Sequence, residues 1–144
     1  MNVLVVNGPN LNLLGTREPH LYGTTTLAEI ERRLVTVGVE LDVTVNCVQS
    51  NHEGELIDRI HAARGKADAI IVNAGAYSHT SIALMDALAA VAIPYAEVHL
   101  TNIFAREPER RHSMLAAGAR AVLCGFGAAG YELALRGIVA ALRA

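Results

Sequence analysis

The stretch AIIVNAGAYSHTSIALMDAL, residues 69–88, decides the fold. It opens with AIIVN, a short apolar run rich in β-branched residues, which is the composition of a strand. The polar segment AGAYSHTS follows, and apolar residues then recur at threes and fours over 80–91, the spacing of a helix. Outward from this unit, further strand-like runs occur at NVLVVN (2–7), LDVTVNCV (41–48), YAEVHL (95–100) and RAVLCG (120–125). Helical spacing recurs over 25–37, 53–64 and 128–142. Only 101–118 breaks the rhythm, with a charged REPERR cluster and room for one short helix before Gly118. Alternating strands and helices predict a parallel sheet covered on both faces, joined by right-handed crossovers. The chain therefore reads as α/β, a flavodoxin-like doubly wound sheet of five strands, whose binding crevice lies beyond the carboxyl ends of strands where their order reverses.

The length of 144 residues suits a single domain spanning 1–144, and no linker, repeat or low-complexity tract divides it. A net charge of −2 gives no excess of positive charge for a nucleic-acid backbone, so nucleic acid is not an expected partner. No apolar run approaches the roughly 20 residues that span a bilayer, and the beginning of the chain lacks a basic, apolar leader. A cytoplasmic protein with no membrane partner is the expectation. Cys47 and Cys124 are isolated in apolar runs, which reads as two buried free thiols in a reducing compartment.

Polar residues collect where the crevice is expected. The first strand ends at Asn7, the third at Asn73, and the fourth near His99. After Asn7 comes GPNLNLLGTREPHLYGT (8–24), long for a strand-to-helix connection in a compact domain, which marks a binding loop or lid. Its part GTREPHLYG (15–23) carries Arg17 and Tyr22 between two glycines, with neither helical nor strand periodicity. Near the other end, GFGAAG (125–130) matches a dinucleotide fingerprint but has no acidic residue about 20 positions on; a tight turn with close helix packing is the better reading.

Strand alternation puts Tyr95, Glu97 and His99 on one face, with Glu97 and His99 about 7 Å apart along the backbone. A carboxylate beside an imidazole fixes its tautomer and favours its protonated form; read alone, the two residues serve equally well as a buried ion pair. His79, near Ser78 or Thr80 as the expected cap of the next helix, reads alone as a capping-region histidine. Arg106, Arg110 and Arg111 are a solvated face in isolation and an anion site beside a crevice. His20, His52, His61 and His112 show no ligand spacing, so no metal is expected. The one lysine, Lys66, sits in a turn at the opposite end of the sheet, poorly placed for imine chemistry.

In order, NGPNLNLLGTREPHLYG, QSNHEGELID, IIVNAGAYSHTSIALMDAL, EVHLTNIFAREPERRHS and CGFGAAGYELAL closely resemble the motifs of the type II 3-dehydroquinate dehydratases, and the resemblance covers nearly the whole chain. It implies dehydration of 3-dehydroquinate to 3-dehydroshikimate in the shikimate pathway of aromatic amino-acid biosynthesis, without metal or organic cofactor, in a dodecamer of four trimers. Carried over by motif, it makes Tyr22 the base, Arg17 its lid partner, Asn73 the holder of the enolate region, His99 the general acid and Glu97 the residue that orients His99. The backbone of Leu100 and Thr101, with Asn73 nearby, would hold the substrate carboxylate, while His79 and Arg110 bind hydroxyl groups. Asp86 would reach a neighbouring subunit's site, and Asn10 and Arg106 match positions near the pocket. Glu109 and Arg111 depart from the family pattern, which carries an aromatic residue and a histidine there.

A neutral phenol is too weak a base to take a proton from beside a ketone, and free tyrosine titrates near 10, so Tyr22 would act as a phenolate stabilised by a permanently charged guanidinium. Two other functions suit the same scaffold: a non-catalytic small-anion binding module using the arginines and Asn73, and a flavin-carrying electron carrier. The leucine- and asparagine-rich loop after the first strand is a poor phosphate cradle, which counts against the flavin.

Overall fold

The computed structural model describes residues 1–144. Strands β1 (Asn2–Asn7), β2 (Thr44–Gln49), β3 (Ala69–Asn73), β4 (Tyr95–His99) and β5 (Ala121–Cys124) form one sheet in the order β2-β1-β3-β4-β5. Every pairing is parallel. The order reverses between β1 and β3, whose register sets Asn7 opposite Asn73. Helices α1 (Pro19–Tyr22), α2 (Leu27–Leu41), α3 (Glu53–Ala62), α4 (Ile82–Val91) and α5 (Ala129–Arg143) connect and follow the strands.

The sheet separates two cores. On one face α2 and α5 pack Ile30, Leu34, Leu135 and Ile138 against Val3, Val5, Ile71 and Val98. On the other, α3 and α4 pack Leu56, Ile60, Leu84 and Leu88 against Ile70, Val72 and Tyr95. All five residues of β3 and of β4 are buried, as central parallel strands require. Each buried aliphatic side chain contributes about 1.5–3 kcal/mol relative to exposure, so these layers hold the strand ends firmly in place.

Differences from the sequence reading have local causes. Thr26 caps α2 through a reciprocal pair with Glu29 (Glu29 N–H to Thr26 Oγ1 and Thr26 N–H to Glu29 Oε2, both 3.2 Å), and the helix runs on to Leu41. Residues 41–42, read as strand, are therefore the helix end and its left-handed cap, and β2 begins at Thr44. The cap of α4 is Ser81, whose hydroxyl accepts the Leu84 N–H at 2.9 Å, in place of Ser78 or Thr80. Segment 101–118 holds three 3-10 turns, Ile103–Ala105, Pro108–Arg110 and Ala116–Gly118, where one short helix was expected. Within the stretch read as aperiodic, Pro19 opens the single helical turn α1, a position where its missing N–H costs nothing.

Cys47 and Cys124 are half-buried, not buried, because they lie on the two edge strands. Desolvation, aided by the charge of Glu31, pushes the Cys47 thiol up to about 12, which leaves it unreactive. The GFGAAG segment is the tight turn expected, with Gly125 at φ 95° and Gly127 at φ 59°. None of the helices is long and apolar enough to cross a membrane.

At Gly8 the loops after β1 and β3 meet. Its N–H donates to the Asn73 carbonyl at 2.8 Å, and a Cβ there would lie 2.3 Å from the Ala74 carbonyl oxygen. Backbone cannot yield as a side-chain tip can, so Gly8→Ala should cost at least the ~1–3 kcal/mol of an overpacked site. Urea denaturation checks this, and an unchanged midpoint would show that the two loops tolerate separation.

Candidate active site

Beyond the carboxyl ends of β1, β3 and β4 lies a crevice. Its floor is Asn73 at the end of β3 and His99 at the end of β4, continued by Leu100 and Thr101. Asn10, Arg17 and Tyr22, all from the segment between β1 and α2, line its wall, as do His79, Arg106 and Arg110. Ten of the residues named from the sequence thus share a single depression. Glu97 stands behind His99, fully buried, and Asp86 is outside, on the exposed side of α4.

The strand alternation read from the sequence is present. His99 Nε2 lies 2.9 Å from Glu97 Oε1. An ionised carboxylate only accepts hydrogen bonds, so Nε2 carries the hydrogen and Nδ1 is left to exchange a proton. Across 5.9 Å, the His79 ring stacks on that of His99. His79 Nδ1 donates to the His112 carbonyl at 2.6 Å, and His112 Nε2 donates back to the His79 carbonyl at 2.9 Å. Burial lowers the His79 pKa, against the pull of the His112 carbonyl, and the charges of His99, Arg110 and His112 press the same way as burial. Neutral His79, with Nδ1 committed, offers Nε2 as an acceptor for a hydroxyl group.

Tyr22 meets two guanidinium groups in different ways. Arg106 directs both terminal nitrogens at the phenol oxygen, at 3.3 Å each, and also donates to Thr101 Oγ1 at 3.1 Å. Arg17 lies over the ring face, 4.8 Å from its centroid, with Glu18 at 3.9 Å. The resemblance makes Arg17 the partner of Tyr22 and gives Arg106 only a place near the pocket; in the structure Arg17 meets the ring face and Arg106 the phenol oxygen. Burial works against the Arg106 charge, but its bonds to Tyr22 and its pairing with Glu107 outweigh that and raise its pKa. Glu107 pairs with Arg106 at 3.4 Å and with Arg110 at 2.6 Å, bridging both crevice arginines. Arg111 points elsewhere, donating to the Arg106 carbonyl.

Asn73 is more constrained than a free donor would be. Its Nδ2 donates to the Tyr131 hydroxyl at 2.9 Å, and its Oδ1 accepts the Gly75 N–H at 3.2 Å. Sequence reasoning missed Tyr131, and it missed Ser113, whose hydroxyl donates to Glu97 Oε1. Both stand inside recognised motifs, yet each acts across the fold from another element, and no local spacing signals that. His112, set aside for want of ligand spacing, is the partner of His79.

Residues 1–139 match the model of the family described as dehydroquinase class II. The chain is 61% identical over 142 residues to a 3-dehydroquinate dehydratase of Gemmatimonas aurantiaca, covering 99% of this chain and 93% of that one. It is 56% identical over 135 residues to catabolic 3-dehydroquinase 2 of Aspergillus flavus, covering 94% and 90%. Among solved structures, the type II dehydroquinase of Butyrivibrio crossotus superposes with a TM-score of 0.94 at 39% identity, covering 96% of this chain and 97% of that one.

A depressed pKa at His79 has a signed consequence. The unfolded histidine binds a proton first, so stability contributed by neutral His79 is present above its ordinary value of about 6.5 and is lost as pH falls below it. The urea midpoint of the wild type should therefore drop further between about pH 7.5 and 5.5 than that of His79→Asn. Equal drops would mean that His79 is not held neutral.

Proposed function

The chain belongs to the class II dehydroquinase family and is a 3-dehydroquinate dehydratase; from that premise we propose a mechanism through an enolate, with Tyr22 as base and His99 as acid. The observation that carries the assignment is a phenol oxygen held by Arg106, under the charge of Arg17, in one crevice with the His99–Glu97 pair.

In this reading the two guanidinium groups stabilise negative charge on the Tyr22 oxygen, which takes the proton beside the substrate ketone. Closing the lid over them excludes water that would weaken the attraction. Negative charge then develops on the ketone oxygen. Asn73 has one N–H left after its bond to Tyr131, and through an ordered water that donor answers the charge. His99, its imidazolium supported by Glu97, gives a proton from Nδ1 to the departing hydroxyl. The backbone of Leu100 and Thr101 receives the substrate carboxylate, His79 and Arg110 orient its hydroxyl groups, and Asn10 lines the pocket beside them. Every step is proton transfer and charge stabilisation, for which these side chains suffice without metal or organic cofactor.

Asp86 acts on a neighbour's site in this account. It shares an exposed face of α4 with Ile82 and Met85, 56% and 36% exposed, apolar surface suited to contact with another copy. A dodecamer of four trimers in the cytoplasm, serving the shikimate pathway, is the assembly and setting proposed. Complementation of an aromatic auxotroph tests the pathway role; support only of growth on quinate would assign a catabolic one.

Purified protein given 3-dehydroquinate should develop enone absorbance, and absence of turnover would reject the function. Borohydride added with substrate should not inactivate it, and Lys66→Ala should stay active, since no imine forms; substrate-dependent inactivation would contradict the enolate route. Dissociation into folded monomers should lower activity, whereas a fully active monomer would remove Asp86 from the site.

A further inference from the structure

Behind His99 the buried Glu97 carboxylate is held asymmetrically. Oε1 accepts from His99 Nε2 and from the Ser113 hydroxyl, while Oε2 is buried without any partner. Ser113 itself is locked: its oxygen accepts the Leu115 N–H at 3.1 Å, which turns its only hydrogen toward Glu97. The chain around it is pinned to the loop that carries the second crevice histidine, through Met114 N–H to the Ser78 carbonyl at 2.7 Å and the reciprocal His79–His112 pair. One short segment, 112–115, thus grips the supports of both histidines at once.

We propose that Ser113 is a positioning residue for the dehydration: by donating to Glu97 it fixes the carboxylate's rotamer, and so fixes which nitrogen of His99 faces the substrate. The physical need is clear from the orphaned Oε2. A fully buried carboxylate with one oxygen unsatisfied survives ionised only if the other oxygen is well supplied with donors. His99 Nε2–H is one such donor, and the Ser113 hydroxyl is the second. Ser113 has no other acceptor and does not line the crevice, so its contribution runs through Glu97.

The inference rests on His99 being the acid, and the test separates the two claims. Hydrogen bonds to charged groups have a strength that corresponds to a loss of about 10- to 100-fold, so Ser113→Ala should lower kcat by that amount and leave KM nearly unchanged. Ser113→Thr, which restores the hydroxyl, should recover most of the loss. In a Glu97→Gln background, Ser113→Ala should add little, because residues that act in series give non-additive losses. Thermal melts run alongside should stay close for all variants. Retention of full kcat in Ser113→Ala while His99→Ala is inactive would overturn the Ser113 assignment alone. Multiplicative losses with Glu97→Gln, or failure of a folded Ser113→Thr to recover, would also overturn it. Turnover persisting in His99→Ala would reject the acid itself, and Ser113's role with it.

Discussion

The Tyr131 hydroxyl holds the crevice floor together. Reaching from α5 through the core, it donates to Asn7 Oδ1 at 2.7 Å and accepts from Asn73 Nδ2 at 2.9 Å, joining the ends of the two strands between which the sheet order reverses. Complete burial drives its pKa well up, so the phenol stays a neutral O–H that donates one bond and accepts another. Each such bond is worth only about 1 kcal/mol net, but leaving a buried partner unmade costs about 1–3 kcal/mol, and here two amides depend on one oxygen. The clamp also settles Asn73: with Nδ2 committed and Oδ1 taken by the Gly75 N–H, the amide cannot flip. Sheet register, helix packing and the polarity of the crevice floor meet at this one atom.

Above that floor, similar groups meet different partners. His79 and His99 stack at 5.9 Å, too close for both to be charged cheaply, and their partners differ. A carbonyl and burial keep His79 neutral, while a carboxylate backs His99. Tyr22 and Tyr131 form a second contrast. One phenol lies buried among neutral amides, and the other sits half-exposed against two guanidinium groups. Environment, not residue type, divides the proposed base from the structural hydroxyl. Glu107 extends the pattern by bridging Arg106 and Arg110, so that the crevice's positive charges are held in a fixed array.

The alternation of strands and helices was legible because each period is local: β3 was found at 69–73 and β1 at 2–7 with their observed boundaries. Boundaries slipped where capping decided them. Ser81 and the run of α2 to Leu41 depend on which of several competent residues meets a free N–H, and composition does not rank them. Among site residues, Glu97 and His99 could be paired from the sequence since the two-residue period of a strand guarantees a shared face. The other assignments came from whole motifs, and the crevice gathers all of them but Asp86, which lies outside on α4. Ser113, Tyr131 and the contact of Arg106 with the Tyr22 oxygen were hidden, for all three depend on contacts between residues far apart along the chain. Both cysteines were misread as buried because an apolar run does not reveal that its strand lies at a sheet edge.

The account stands on Tyr22 being useful only beside its arginines. A double-mutant cycle in turnover, with Tyr22→Phe, Arg17→Ala and the two combined, and with thermal melts of each, tests this most directly. Tyr22→Phe should abolish most activity, the added Arg17→Ala should cost little more, and melting should stay near wild type, since both residues lie on the loop after β1 and neither is a buried core residue. Losses that multiply independently, or inactivity traced to unfolding, would contradict a base and guanidinium acting as one unit.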